Sequence, residues 1–509
     1  MAAMSALDRS STVAVVGTGT MGQGIAQVAL VAGHPVRLYD AGPGRAEQAE
    51  RAIGERLDRL VEKGRLSAGE RDAARGRLSA VREIEELAGV SLVVEAILED
   101  LGAKQQLFTA LESVVREDCL LATNTSSLSV TAVGGALRLP GRFVGLHFFN
   151  PAPLLPLVEV VSGAATDEAA ARTAYDTAAT WGKTPVRCTD TPGFIVNRVA
   201  RPFYAEAFRL HEERVADPAT IDAVLRESGG FRMGPFELTD LIGQDVNEAV
   251  TRSVWDSFFQ DPRFTPSLAQ RRLVESGRLG RKSGHGWYDH AEGAAAAAPH
   301  TAGPEKPPAE VTVCMSGRGP AAVLPRLIAE AGIEVLDGEV ADPDDGFIEL
   351  PGGGRLYLAD GGPATTGPAV DYVQFDLALD YRVATRVALA PSDSARPETM
   401  QAAIGLFQAL GKKVSVIEDV PGMIVARTVA MLVDFATDAV ARGVASPEDV
   451  DSAMRLGVNY PRGPLAWGEE LGFEWVREVL RNLHQAYPGG RYAPSRPLNR
   501  RAAVEGRLL

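Results

Sequence analysis

Apolar residues follow two rhythms along this chain. Thr12-Val13-Ala14-Val15-Val16 is a short β-branched run. Similar runs are Pro35-Val36-Arg37-Leu38-Tyr39-Asp40, Ser91-Leu92-Val93-Val94-Glu95-Ala96, Leu120-Leu121-Ala122-Thr123, Leu157-Val158-Glu159-Val160-Val161 and Lys183-Thr184-Pro185-Val186-Arg187-Cys188. Each predicts a buried strand. Helical spacing separates them. Ile25, Val28, Ala29 and Ala32 recur on one face, 167–182 reads as a helix, and 46–81, rich in Arg, Glu and Ala, predicts one or two long amphipathic helices. Strand and helix in alternation predict an α/β sheet. From 190 the pattern turns helical, opening on the turn Pro192-Gly193 with Asn197 near the first helix start.

The second half repeats the first. Gly182-Lys183 recurs as Gly411-Lys412, Asp190-Thr191-Pro192-Gly193 as Asp419-Val420-Pro421-Gly422, Ile195-Val196-Asn197-Arg198 as Ile424-Val425-Ala426-Arg427, and Gly234-Pro235 as Gly463-Pro464. The offset is 229 positions throughout, so the helical domain is duplicated. Asn197 becomes Ala426 in the second copy, which therefore reads as non-catalytic. An Ala- and Pro-rich stretch, 291–310, reads as a linker. Beyond it, Glu310-Val311-Thr312-Val313-Cys314-Met315 runs into Ser316-Gly317-Arg318-Gly319-Pro320, and Gly354-Arg355-Leu356-Tyr357-Leu358-Ala359 and Arg386-Val387-Ala388-Leu389-Ala390 read as further strands. This is a shortened dinucleotide fold whose glycine turn Pro320 interrupts, without a counterpart of His147. It reads as structural, the alternative being a second ligand site. The expected domains are 1–189, a nucleotide-binding domain; 190–290, helical; 291–310, linker; 311–390, the degenerate sheet; and 391–509, the second helical copy.

Charge and composition narrow the partners. The net charge is −14, which argues against nucleic acid or an anionic membrane as general partner. Cys119, Cys188 and Cys314 have no metal-ligand spacing, imply no metal, and fit a reducing compartment. No apolar run is long enough to span a bilayer, and 1–11 has no apolar signal core, so a cytoplasmic protein is expected.

The chemistry gathers at strand ends. Gly17-Thr18-Gly19-Thr20-Met21-Gly22 follows the first run at once, and Asp40 ends the second. Strand, glycine turn, helix, strand and acid form the dinucleotide-binding context. Gly17 permits the turn, Gly19 lets a pyrophosphate approach, Gly22 lets helix pack on sheet, and Asp40 accepts from ribose hydroxyls, favouring NAD over NADP. Glu99 and Lys104 follow the strand at Val93-Val94, and Ser126 and Ser127 follow Leu120-Leu121, where capping of the next helix is the competing role. Gly145-Leu146-His147-Phe148-Phe149-Asn150-Pro151 ends a further strand and holds a histidine where doubly wound sheets place their chemistry. Glu159 lies among apolar neighbours, where a carboxylate needs a partner, and a histidine is a good one. Arg51, Arg56, Arg59, Lys63 and Arg65 form either a solvated helix face or a clamp on a phosphorylated substrate arm.

With these segments in view, the chain from about 12 to 290 resembles the L-3-hydroxyacyl-CoA dehydrogenase family. The resemblance rests on the glycine turn with Asp40, Val93-Val94-Glu95-Ala96, Asn124-Thr125-Ser126-Ser127, 145–151, Leu157-Val158-Glu159-Val160, 190–198 and Gly234-Pro235-Phe236-Glu237. It implies an α/β Rossmann NAD-binding domain followed by an all-α C-terminal domain, then a degenerate Rossmann-like segment and a second all-α copy. It implies NAD as cofactor, an acyl-CoA substrate, and interconversion of (S)-3-hydroxyacyl-CoA and 3-oxoacyl-CoA. His147 resembles the general base and Glu159 its paired acid, while Ser126 and Asn197 resemble the groups that hold the substrate's 3-oxygen. Gly17, Gly19, Thr20, Met21, Gly22, Asp40, Glu99, Lys104 and Asn150 resemble the NAD contacts, with Lys282 in Gly280-Arg281-Lys282-Ser283-Gly284 as a further one. Lys63 or Arg65 stands for the coenzyme A contacts. The tandem form resembles bacterial enzymes of 3-hydroxyadipyl-CoA in phenylacetate breakdown, or of 3-hydroxybutyryl-CoA in fatty acid metabolism. A dicarboxylic substrate calls for a distal cation, and Arg201, Arg232 and Lys183 are candidates. Oxidation of a sugar acid, as by gulonate dehydrogenases, and a non-enzymatic nucleotide-binding scaffold are the competing readings. Single-domain members pair through the helical domain, so the second copy is expected to supply that partner within one chain, the other possibility being a homodimer.

Overall fold

The computed structural model describes residues 6–315, 319–339, 346–367 and 369–508, and the side chains of all of these except 506–508. The expected turn at Ser316-Gly317-Arg318 lies outside the described residues. Two compact units form, one of 1–198 with 442–458, the other of 199–441 with 459–509.

The first unit is built on an 8-stranded sheet in the order β3-β2-β1-β4-β5-β6-β7-β8. The strands are β1 (Val13–Val16), β2 (Val36–Tyr39), β3 (Leu78–Ala80), β4 (Leu92–Glu95), β5 (Leu120–Thr123), β6 (Phe143–Phe148), β7 (Leu157–Ser162) and β8 (Thr184–Thr189). All pairs are parallel except β6 with β7. Strands buried on both faces lose the polar alternation, as the uniformly buried β1, β4 and β5 do. The stretch expected as helix over 46–81 resolves into Arg45–Glu62 and Ala68–Arg75, and its last residues form β3 instead. Ser67 ends the gap between the helices with a capping box to Glu70. β3 is too short for its alternation to stand out in the sequence.

The second unit holds a 7-stranded sheet, β10-β9-β11-β12-β13-β14-β15. These are β9 (Glu310–Cys314), β10 (Glu334–Asp337), β11 (Phe347–Glu349), β12 (Arg355–Leu358), β13 (Tyr372–Phe375), β14 (Arg386–Pro391) and β15 (Lys413–Val416). β11 runs antiparallel to both neighbours, a departure from the first sheet.

The repeat extends to backbone detail. Helices Pro235–Ile242 and Gln244–Ser257 recur as Pro464–Leu471 and Phe473–Ala486. Phe194 (φ 49°) recurs as Met423 (φ 48°), both left-handed without being glycine. The helix Pro447–Gly457, from the second copy, packs on β7 and β8 of the first unit, while its counterpart from the first copy, Pro218–Glu227, packs on β14 of the second. The seams match: Thr189 N donates to Val444 O (2.9 Å), and Glu418 N donates to Val215 O (3.1 Å), 229 positions apart on both sides. Within the second unit the helix Val425–Ala441 packs against Arg201–Glu212. Buried Arg427 joins them, bonding Glu206 at 2.7 Å and Glu213 at 3.0 Å. Among the described residues no helix is long and apolar enough to cross a membrane.

Candidate active site

The register of β6 and β7 places His147 opposite Glu159. Directly opposed residues project to one face of a sheet, and here His147 Nδ1 meets Glu159 Oε2 at 2.6 Å. Both are buried, His147 at 5% and Glu159 at 0% exposure. A buried carboxylate needs its remaining lone pairs satisfied. Oε1 accepts from Ile195 N (3.1 Å) and Val196 N (2.9 Å), at the start of the helical turn Val196–Val199 that carries Asn197. Glu159 therefore orients the imidazole and caps the next helix. Phe149 and Phe194 flank the ring, with centroids at 4.5 and 5.7 Å. With Nδ1 committed to Glu159, Nε2 is the nitrogen left to exchange a proton.

Glu99 organises the serine turn. Its Oε1 accepts from Thr125 Oγ1 (2.6 Å), Ser126 N (2.9 Å), and Ser127 N and Oγ (both 3.0 Å). Burial pushes this carboxyl up, but the Thr125 bond, the Lys104 charge and the serine donors outweigh it and hold it below the usual range. The Ser126 hydroxyl is only 3.5 Å from Glu99, a marginal bond that leaves it open to a ligand. Asn197 Nδ2 donates to Ser126 O at 3.4 Å, so these two expected residues meet, through the serine's backbone. Lys104 is buried and ion-paired to Glu95 (2.5 Å) and Glu99 (3.4 Å), which makes it an anchor of this loop.

The nucleotide loop follows β1. Gly17 has φ +92°, and a Cβ there would lie 2.6 Å from Ala96 O. A Cβ on Gly22 would lie 1.8 Å from Gly17 O. Over Gly19 nothing lies within 4 Å, leaving the room a pyrophosphate needs. Thr20 and Met21 open the helix Thr20–Val31 beneath it. Asp40 accepts from Thr18 N (2.9 Å), Thr18 Oγ1 (2.7 Å) and Gly42 N (3.0 Å). Burial pushes its carboxyl up, yet these bonds bring it below the usual range, so it stays an acceptor. Open glycine, helix start and ionised acid fit NAD.

The remaining expected residues are less engaged. Asn150 is exposed just beyond β6. Lys63, Arg51, Arg59 and Arg65 are exposed, while Arg56 bonds Gln23 (2.9 Å), whose amide donates to Thr18 O (2.8 Å), so Arg56 buttresses the glycine loop. Lys282 lies in the second unit, paired with Asp245 at 2.6 Å. Two groups were missed. Glu95, fully buried, is the main partner of Lys104. Asp190 caps the helix Val130–Gly134 through Ser129 Oγ (2.7 Å) and Thr131 N (2.7 Å). Its recurrence as Asp419 was the available signal, since Asp419 caps Ala364 and Thr365 in the same way.

As expected, the second copy has no histidine at the position equivalent to His147. The offset of 229 puts Asp376 there, and Ala388 in place of Glu159. Asp376 accepts from Ile424 N (3.0 Å), Val425 N (2.8 Å) and Ala426 N (3.1 Å), the groups equivalent to those at the first helix start. No imidazole remains.

Known proteins resemble this chain over most of its length. Residues 12–191 match the 3-hydroxyacyl-CoA dehydrogenase NAD binding domain, and 193–290 and 422–508 both match the C-terminal domain of that family. The chain belongs to the 3-hydroxyacyl-CoA dehydrogenase family. Residues 356–421 match the 3-hydroxybutyryl-CoA dehydrogenase reduced Rossmann-fold domain, in line with the degenerate sheet expected there. The chain is 44% identical over 500 residues to the 3-hydroxyadipyl-CoA dehydrogenase of Escherichia coli K12, covering 97% of this chain and 98% of that one. A crystal structure of 3-hydroxybutyryl-CoA dehydrogenase from the same species superposes with a TM-score of 0.89 at 43% identity, covering 99% of this chain and all of that one. The 3-hydroxybutyryl-CoA dehydrogenase of Mycobacterium tuberculosis is 38% identical over 285 residues, 56% of this chain. The family settles the class of reaction as NAD-dependent oxidoreduction of 3-hydroxyacyl-CoA and displaces both the sugar-acid and the scaffold readings.

Proposed function

We propose that the chain oxidises a short (S)-3-hydroxyacyl-CoA, with the dicarboxylic 3-hydroxyadipyl chain preferred, as in fatty acid or phenylacetate breakdown in the cytoplasm. The near full-length likeness to an enzyme named for 3-hydroxyadipyl-CoA supports the substrate. The observation that carries the mechanism is the buried 2.6 Å pair of His147 and Glu159. His147 Nε2 takes the proton of the substrate's 3-hydroxyl, and Glu159 stabilises the imidazolium that forms. The Ser126 hydroxyl and the Asn197 amide steady the oxygen as its charge changes. In the reverse direction Nε2 returns the proton to the 3-oxo oxygen. NAD, when bound, supplies the hydride acceptor. Gly17, Gly19, Thr20, Met21, Gly22 and Asp40 hold it, Glu99 with Lys104 shapes the loop beside it, and Asn150 flanks it. Lys63 meets the coenzyme A phosphates.

The second helical copy acts as an in-chain partner for the first, a role that the Arg427 bonds to Glu206 and Glu213 support. Light scattering tests this, a monomer being expected. The substrate is tested by NADH absorbance across 3-hydroxyacyl-CoA chains of four to eight carbons, with and without a terminal carboxylate. A higher kcat/KM for the adipyl chain is expected, and equal use of the uncharged six-carbon chain would refute the preference.

A further inference from the structure

At the catalytic end of the first sheet, β6 outruns β5. The two strands pair from Leu121 with Phe143 to Thr123 with Gly145, and β6 then continues through Leu146, His147 and Phe148. On its other side β7 keeps pace, with His147 opposite Glu159 and Phe148 opposite Val158. A side chain meets the uncovered side of β6 instead of a strand. Asn124, the first residue past β5, accepts from Phe148 N through Oδ1 at 2.9 Å. Its own N–H donates to Glu95 O, at the end of β4, at 2.8 Å. One half-buried residue thus ties together the ends of β4, β5 and β6.

This bond lies between two groups that must act on one oxygen. Phe148 directly follows His147, and the ring of Phe149 packs 4.5 Å from the imidazole. Ser126 lies two residues beyond Asn124, on the turn that Glu99 organises. The Glu159 contact fixes how the imidazole is turned. It does not fix how far the end of β6 stands from the serine turn, which the Asn124 bond does. Buried N–H groups need an acceptor in any protein, so the second unit is an informative control. There Leu377 stands for Phe148 at the offset of 229, and its N–H donates at 2.8 Å to Oδ1 of Asp376, the residue in the histidine's place. With an imidazole in that place and its Nδ1 given to Glu159, the N–H must find its acceptor elsewhere. In the first unit it finds one on the turn that also carries Ser126.

We propose that Asn124 is a positioning residue for the oxidation, its bond to Phe148 N setting the spacing between the strand that holds His147 and the turn that holds Ser126. This rests on the roles given to His147 and Ser126 above. The test uses the full-length protein with NAD and 3-hydroxybutyryl-CoA. Asn124→Ala should lower kcat about 10- to 100-fold and leave KM for both substrates within about threefold. The solvent isotope effect on kcat should rise, because a displaced base makes proton transfer more nearly limiting. Loss of folded enzyme would lower kcat without moving the isotope effect, and that result overturns the proposal. Asn124→Asp keeps an acceptor, of the kind Asp376 provides in the second unit, and should return kcat to within about fivefold of wild type. No recovery with Asn124→Asp, or an unchanged kcat in Asn124→Ala, also overturns it. If Asn124→Ala does not fold, Asn124→Ser, one bond too short to reach Phe148 N, carries the same expectations. His147→Gln is measured beside these variants. If it keeps turnover, the histidine's role falls and this inference with it. If it loses turnover while Asn124→Ala does not, this inference alone falls.

Discussion

At the start of the first helical copy, Glu159 from β7 takes the N–H groups of Ile195 and Val196 and gives its other oxygen to His147. At the start of the second, Asp376, just past β13, takes the N–H groups of Ile424, Val425 and Ala426 and serves no imidazole. Both helix starts are buried, so both need an acceptor whether or not chemistry follows. In the first copy the carboxylate comes from the neighbouring strand, which frees the end of β6 for a histidine. In the second it has moved to the histidine's own position, and Ala388 fills the vacated site. Capping by a buried carboxylate is common to both copies, and an imidazole partner for it is confined to the first.

The largest effect separates the copies by chemistry. His147→Gln should cut kcat about 10³- to 10⁴-fold with NAD affinity nearly intact, read by NADH absorbance and cofactor fluorescence. Asp376→Asn should leave turnover within twofold. Next comes the bond between the copies. Arg427→Met leaves Glu206 buried beside a lost cation and should cost about 3–5 kcal/mol in calorimetric stability.

Acid separates two buried carboxyls by sign. Burial pushes Glu206 up, but Arg491 and Arg427 more than reverse it, to about 2. Its stabilisation is present above the unfolded value and lost as pH falls towards 2, by roughly 3 kcal/mol. Asp376 is pushed up by burial to about 6, its backbone donors only partly opposing. Its contribution is greatest below the unfolded value of about 4 and is lost as pH rises through 6, by roughly 3 kcal/mol. Denaturant titrations of wild type, Glu206→Gln and Asp376→Asn between pH 3 and 7 should show opposite slopes relative to wild type. Equal slopes would break the assignment. The smallest effect concerns a pair on which the copies agree. Lys183 and Lys412 both tie down carbonyls, the latter that of Ala384 at 2.5 Å. Replacing either by Met should cost about 1 kcal/mol.

Much of this was legible before any coordinates. The glycine turn is legible because sterics dictate glycine at Gly17 and Gly22, and the duplication because turns such as Pro192-Gly193 keep their spacing. Asp376 was legible in principle. The offset that pairs Gly182 with Gly411 also pairs His147 with Asp376, but an acid in place of a base carries no catalytic pattern to catch the eye. The packing of Pro447–Gly457 on β8 was not legible, since the apolar spacing of a helix does not reveal which of two related sheets it will cover. Nor was Lys104's commitment to Glu95, because spacing along a chain does not reveal which of two nearby acids a lysine will choose.

That helix on β8 has a bearing on biosynthesis. The ribosome releases β8 long before it releases 442–458, yet the cofactor-binding unit is complete only with both. The flank of the sheet beside His147 and Glu159 gains this helix only after the intervening chain is made. Closure of that flank therefore follows synthesis of the second copy, and a cut between the two copies would part this helix from the strands it covers.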